Sequence, residues 1–268
     1  MTFRLIILGG GRMGAALAEG LLRVQWCDAA ELLIIQRGEE KAHVLRDRFP
    51  GVTVATELAA DQVGPDTGVV LCVKPDYAEG MARLCSAVGV TRLLSVVAGL
   101  STERLQACFT SAVAVIRSMP NTPVLVGKGV SAITGGAHCT SGDLDWADSV
   151  LGAVGVVVRV TERQIDAVSG LSGPMPAYLY LVVEALIEAG VHQGLSRDIS
   201  TQLVVASFEG SAALLSESGE RPEELRYQVT SPGGVTAAGL RMLEGRAVRA
   251  AFLEAVASAA ERSRNMAR

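Results

Sequence analysis

The sequence predicts an α/β chain: an N-terminal Rossmann-type doubly wound sheet, followed by an all-α dimerisation domain. Three observations carry that expectation. A glycine cluster at residues 9–14 joins an apolar run to an alanine-rich helical segment. Short Val, Ile and Leu runs then alternate with helical patterns to about residue 160, as βαβ units do. Beyond that point the strand pattern stops, and helices rich in apolar and small residues take over. The expected domains are residues 1–160, dinucleotide-binding, and residues 161–268, helical.

The first strand is Leu5-Ile6-Ile7-Leu8, and it enters Gly9-Gly10-Gly11-Arg12-Met13-Gly14. Gly9, Gly11 and Gly14 fall at the G-x-G-x-x-G spacing between a buried strand and a helix, the context a dinucleotide loop needs. Gly9 makes the tight turn, Gly11 lets backbone approach a pyrophosphate, and Gly14 lets the helix lie close on the strand. The helix N-terminus then faces the phosphates. Three consecutive glycines also suit an ordinary strand-to-helix turn; the flanking strand and helix favour the cofactor.

A second strand, Glu31 to Ile35, ends at Gln36-Arg37. About 20 residues past the glycines, an acid accepts hydrogen bonds from the adenosine 2′-hydroxyl, whereas Arg accommodates a 2′-phosphate. Arg37 stands there and no acid follows until Glu39, so NADPH is favoured, with NADH possible but weaker. A solvated Arg at a strand end is the bland alternative. Glu39 to Arg48 reads as a helix, Val52 to Val54 as a short strand, and Glu57 to Gln62 as a small helix. Val69 to Val73 is a strand stopping at Lys74-Pro75, where proline ends the ladder at a carboxyl end suited to ligands. Tyr77 to Val88 is helical, and Leu93 to Val97 is a strand closing at Ala98-Gly99. Thr102 to Cys108 is a helix capped by Ser101. Val113 to Ile116 is expected to lead into a loop, Arg117-Ser118-Met119-Pro120-Asn121-Thr122-Pro123, held by its two prolines. A strand at 127–133, a helix at 141–151 and a strand at 154–160 complete the first region.

Helices are then expected at 162–170, 178–189, 199–217, 222–229, 236–244 and 246–266. The second of these is apolar nearly all round, and the third is rich in Val, Leu and small residues. A short helical region cannot hide so many apolar faces alone, and an isologous partner is the natural cover; packing on the first domain is the alternative.

Composition bounds the rest. The chain has 268 residues, 49% of them apolar, a formal charge of -4, and a mean hydropathy of +0.35. No basic surface advertises nucleic acid or an anionic membrane. No uninterrupted apolar run approaches the roughly 18 residues a membrane span needs. The chain enters its first strand without a charged and apolar leader. Five cysteines show no C-x-x-C pair, which fits a reducing compartment. A soluble cytoplasmic protein is therefore expected. His43, His138 and His192 are scattered and no metal site is expected; Glu184 and Glu188, one turn apart, read as polar relief on a packed helix.

Val229-Thr230-Ser231-Pro232-Gly233-Gly234-Val235-Thr236 precedes another helix, and its backbone N–H groups suit a carboxylate or phosphate; a plain helix cap reads equally well. With this motif the chain resembles the pyrroline-5-carboxylate reductases along essentially its whole length. Four segments match in order: the 9–14 loop, Val73-Lys74-Pro75, Arg117 to Pro123, and Thr230-Ser231-Pro232-Gly233-Gly234 with Thr236.

The resemblance implies NADPH-dependent reduction of 1-pyrroline-5-carboxylate to L-proline by hydride transfer to a cyclic imine. It implies that Gly9, Gly10, Gly11, Arg12, Met13 and Gly14 hold the pyrophosphate, and that Gln36 and Arg37 face the adenosine phosphate. Val73, Lys74 and Pro75 would line the ribose side, and Ala98 and Gly99 would approach the nicotinamide, with Asn121 either orienting that region or holding its own loop. Ser231, Gly233, Gly234 and Val235 would take the substrate carboxylate, with Glu162 and Gln228 near it. Thr236 would hydrogen-bond the ring nitrogen as the catalytic group, more by positioning than as an acid. The partners implied are a small cyclic imine carboxylate and a second copy of the chain, in a dimer or a ring of dimers. A larger-ring imine, or NADPH binding without turnover, are the alternative readings. Departures from the family pattern bear on these: Pro174 and Met175 interrupt a glycine-rich turn, Val235 replaces a common Thr, and Glu57 lies near the place of an Asn. At the first, loss of a glycine able to adopt positive φ is the expected consequence.

Overall fold

A computed structural model describes residues 2–266. By compactness the chain forms two units, Met1–Pro174 with Ser258–Arg268, and Met175–Ala257. In the first, an eight-stranded sheet has the order β3-β2-β1-β4-β5-β6-β7-β8. The strands are β1 (Leu5–Leu8), β2 (Leu32–Ile35), β3 (Thr53–Ala55), β4 (Gly68–Leu71), β5 (Arg92–Ser95), β6 (Ala114–Pro120), β7 (Gly129–Gly135) and β8 (Gly155–Arg159). All neighbours run parallel except β6 and β7. The helices of this unit are α1 (Arg12–Arg23), α2 (Glu39–Arg48), α3 (Pro75–Ala87), α4 (Thr102–Gln106), α5 (Ser141–Gly152) and α6 (Ile165–Leu171).

Strand period two explains why both faces are covered. On β1, Leu5 and Ile7 pack into a core with α1 and α5, while Ile6 and Leu8 enter a second core with α3. All four are fully buried, so β1 is the centre of a doubly wound sheet. The order reverses there, with β2 on one side of β1 and β4 on the other, and the crevice beyond their carboxyl ends is where such sheets bind ligands. Gly14 shows why α1 can lie so close: a Cβ there would stand 2.0 Å from the Gly9 carbonyl oxygen.

Three local expectations are corrected. Residues 117–120 are not loop. They continue β6, pairing antiparallel with β7 as far as Pro120 opposite Ser131. The proline lies at the strand's end, where its missing N–H is tolerated, and Pro123 opens a 3₁₀ turn at Thr122–Val126. The helix expected at 57–62 shrinks to a 3₁₀ turn at Ala60–Gln62. Met175 needs no positive φ: among the described non-glycine residues only Gln25 and Ala247 adopt one. Met175 instead opens a helix, and Pro174 stands just before it, where a backbone donor has no helical partner to lose.

The second unit is helical: α7 (Met175–His192), α8 (Arg197–Ser218), α9 (Pro222–Gln228), α10 (Val235–Gly245) and the first part of α11 (Val248–Met266). Its helices leave Tyr180, Leu181, Leu203, Leu214 and Leu253 exposed. The last turns of α11 belong to the first unit, where Ala260 is buried and the Ser263 hydroxyl donates to Asp166 at 2.9 Å. Residues 161–174 also belong there, because Ile165 is fully buried and α6 packs on β6 and β7. Among the described residues, one helical stretch, Glu162–His192, is long and apolar enough to cross a membrane by length and composition. Glu184 and Glu188 break its apolar run.

Candidate functional site

The carboxyl ends of β1, β2 and β4 open into a cleft of about 570 Å³. Gly9, Gly11, Gln36, Arg37, Val73 and Lys74 line it, all of them predicted cofactor residues. Gly9 has φ of 107°, and a Cβ on it would meet the Cys72 carbonyl oxygen at 2.7 Å, so only glycine fits that turn. Gly11 is the N-cap of α1 and has no heavy atom within 4 Å of where its Cβ would stand. No side chain caps α1 and no acid occupies its first turn, so its leading N–H groups and positive dipole end are available to an anion. Arg12 and Met13 occupy that first turn, Arg12 exposed and Met13 packed against the core.

Gln36 does more than face the cleft. Its Oε1 accepts from the Gly10 N–H at 3.0 Å and its Nε2 donates to the Arg37 carbonyl at 3.0 Å. One amide therefore ties the glycine loop to the end of β2. Arg37 and Lys74 are exposed and make no ion pair with the described residues. Two unneutralised cations beside an open helix start suit a phosphate-bearing dinucleotide. Ile35, Leu58, Met81 and Leu84 supply an apolar wall of the kind a base packs against. All four lie in or beside elements expected from sequence, but only the fold brings Leu58 and the α3 residues Met81 and Leu84 to the end of β2. Tyr77 also lines the cleft, three residues past Lys74 on the first turn of α3.

A separate hollow of about 300 Å³ is lined by Pro75, Ala98, Gly99, Leu100 and the ion-paired Glu79 and Arg104. Gly99 has φ of 77°, which turns the chain sharply after β5. Asn121 is buried and doubly occupied: its Oδ1 accepts from the Val130 N–H at 2.9 Å, and its Nδ2 donates to the Ser172 carbonyl at 3.3 Å. It pins β7 and the turn after α6 together. Glu162 is engaged likewise. Its carboxylate takes a 2.6 Å bond from Arg117 Nη1, and the Thr102 hydroxyl donates to it at 3.2 Å. The Arg117 side chain is 6% exposed, an unusual depth for a guanidinium. The sequence places Arg117 in a matched segment and Thr102 at the start of a helix without giving either a role; their meeting at Glu162 comes from the fold.

In the helical unit, the 229–236 segment forms a turn that leads into α10. Gly233 has φ of 69°, and the Gly234 N–H closes a turn onto the Ser231 carbonyl at 3.1 Å. A Cβ on Gly234 would stand 2.3 Å from Ser231 Oγ, so the Ser231 hydroxyl would have to turn away from it. Gly234 is the N-cap of α10; no side chain caps it and its first turn carries no acid. Val235 is 91% exposed and Thr236 is half-buried on that first turn. Gln228, at the end of α9, donates to Glu220 at 2.5 Å, and the Thr230 hydroxyl donates to the Arg226 carbonyl at 2.5 Å.

Residues 162–266 match the family model for pyrroline-5-carboxylate reductase dimerisation, and residues 4–99 match that for NADP oxidoreductases, coenzyme F420-dependent. A pyrroline-5-carboxylate reductase of Corynebacterium melassecola is 40% identical, with 97% of each chain covered. The solved pyrroline-5-carboxylate reductase of Coxiella burnetii superposes with a TM-score of 0.92 at 27% identity, covering 100% of both chains. The Plasmodium falciparum pyrroline carboxylate reductase, solved with NADP bound, gives 0.84 at 28% identity, with 99% and 98% covered.

Proposed function

The chain belongs to the pyrroline-5-carboxylate reductase family, and on that premise we propose that it reduces 1-pyrroline-5-carboxylate to L-proline with NADPH, the final step of proline biosynthesis. The observation that carries the reading is the cleft at β1, β2 and β4, with an uncapped helix start and the free cations Arg37 and Lys74, in a chain matched end to end by these reductases. Bound NADPH supplies a hydride from C4 of its nicotinamide. The chain's residues do the holding. Gly9 to Gly14, through loop amides and the start of α1, take the pyrophosphate; Arg37, helped by Gln36 and Lys74, takes the adenosine 2′-phosphate. Val73 and Pro75 flank the ribose, and Ala98 and Gly99 flank the nicotinamide. Asn121 braces that region, since its own polar atoms are already bonded.

Amides around Ser231, Gly233, Gly234 and Val235 take the substrate carboxylate, and the dipole of α10 adds to the attraction. The Thr236 hydroxyl meets the ring nitrogen. A protonated cyclic imine is already a strong electrophile, so the task left to the protein is orientation, which supplies much of the rate. Gln228 ends α9 just before this segment and belongs to the substrate region with it, while Glu162 keeps its pair with Arg117 in the first unit.

Residues 161–268 serve as the dimerisation region, where exposed apolar positions on α7, α8 and α11 fit a second copy better than lipid, because Glu184 and Glu188 lie within the most apolar helix. Dimers assembling into a ring belong to the same reading, as does a cytoplasmic location, with which five free cysteines agree. The test is spectrophotometric. Protein and NADPH are mixed with 1-pyrroline-5-carboxylate or with its six-membered homologue, and absorbance at the nicotinamide band is followed. Turnover with the five-membered ring is expected; NADPH binding without consumption in either mixture would overturn the assignment.

A further inference from the structure

Resting on the 2′-phosphate reading above, we infer that Tyr77 is a specificity-determining positioning residue: its ring holds the Arg37 guanidinium ready for the phosphate of the nucleotide. The Arg37 Cζ lies 4.7 Å from the Tyr77 ring centroid, inside the range of a cation–π contact, and both residues line the same cleft.

The choice of an aromatic partner has a chemical consequence. A carboxylate would position Arg37 by consuming its N–H donors and cancelling its charge. A ring beneath the guanidinium touches its face and leaves the N–H edges and the full charge for a bidentate bond to phosphate. The backbone at each end is held independently. The Arg37 carbonyl accepts from Gln36 Nε2, and the Tyr77 N–H donates to the Lys74 carbonyl at 3.0 Å. Ala78, the next residue on α3, is fully buried and seats that turn on the sheet. A long side chain ordered before the anion arrives loses less rotamer freedom on binding it. The Tyr77 hydroxyl makes no hydrogen bond with the described residues, so the ring alone carries the effect.

The test is equilibrium binding of NADPH and NADH by calorimetry, without substrate. Tyr77→Leu is expected to lower the preference for NADPH, read as the ratio of the two Kd values, by about two- to fivefold. Tyr77→Phe is expected to keep the wild-type ratio. In an Arg37→Ala background, Tyr77→Leu should leave the ratio unchanged. A Tyr77→Leu variant that weakens both nucleotides equally, or a Tyr77→Phe variant as damaged as Leu, would overturn the proposal, the ring then being only a wall of the cleft. Arg37→Ala alone reports on the underlying reading. If it does not lower the ratio, the 2′-phosphate assignment itself fails; if it does and Tyr77→Leu does not, only the role of Tyr77 fails.

Discussion

Thr236 has one hydroxyl on the first turn of α10, beside an N-terminus that no side chain caps. A neutral hydroxyl is a weak acid, so its value to the proposed reaction is the direction of one hydrogen bond. Thr236→Ala should lower kcat/KM by about 10- to 100-fold, with Thr236→Ser recovering most of it, in initial-rate measurements. An Ala variant with wild-type kcat/KM would remove Thr236 from the site. Glu162 calls for the opposite readout. Its carboxylate answers a guanidinium that is almost fully buried, and removing it strands that charge away from water. Glu162→Ala should cost about 2 kcal/mol of stability in denaturant unfolding, discounted because Glu162 is itself partly exposed. If unfolding is unchanged, Arg117 has found another partner.

Among the elements, α5 shows how a helix start responds to acid. Thr140 and Asp143 form a reciprocal cap: the carboxylate accepts from the Thr140 N–H at 2.9 Å and its hydroxyl at 2.7 Å, and Arg92 adds a 2.7 Å bond. Burial pushes the Asp143 carboxyl upward, but the Thr140 bonds and Arg92 outweigh it and hold the group below its ordinary 3.8. A depressed acid stabilises the fold above its unfolded value, and that contribution disappears as pH falls through the lower folded value. Stability contributed by Asp143 is thus complete at neutral pH and is lost on acidification below about 4. Asp143→Asn should flatten the acid limb of a plot of unfolding midpoint against pH; an unaltered limb would assign acid sensitivity elsewhere. The same scale accounts for β6. Local chemistry around two prolines argues for a loop, yet pairing with β7 satisfies the backbone through Pro120. Propensity yielded to a ladder made with residues more than ten positions away.

At the scale of the whole molecule, the helical unit leaves large apolar side chains in view, among them Leu181 at 67% and Leu253 at 73%. A chain that kept them exposed to water would carry patches of the kind that mark interfaces. Leu181→Arg should shift the particle mass from oligomer toward monomer in light scattering, since a charge buried in such a face cannot be covered cheaply. An unchanged mass would place the interface on another face.

Much of this protein follows from residue order alone. The glycine spacing, the alternation of short Val, Ile and Leu runs with helical stretches, and Arg37 at the end of β2 depend on backbone sterics and short-range period. Both act wherever the chain goes. The turn at 230–236 before α10 is legible for the same reason. Tertiary structure decided what those patterns cannot encode. Arg117 and Glu162 meet across 45 residues of sequence, Tyr77 comes under Arg37 only because α3 follows β4 beside β1, and Met175 is helical because the preceding turn needs no left-handed backbone. Such contacts arise where separate elements cross, and crossing points are fixed by how the core packs, a property of all the buried residues together.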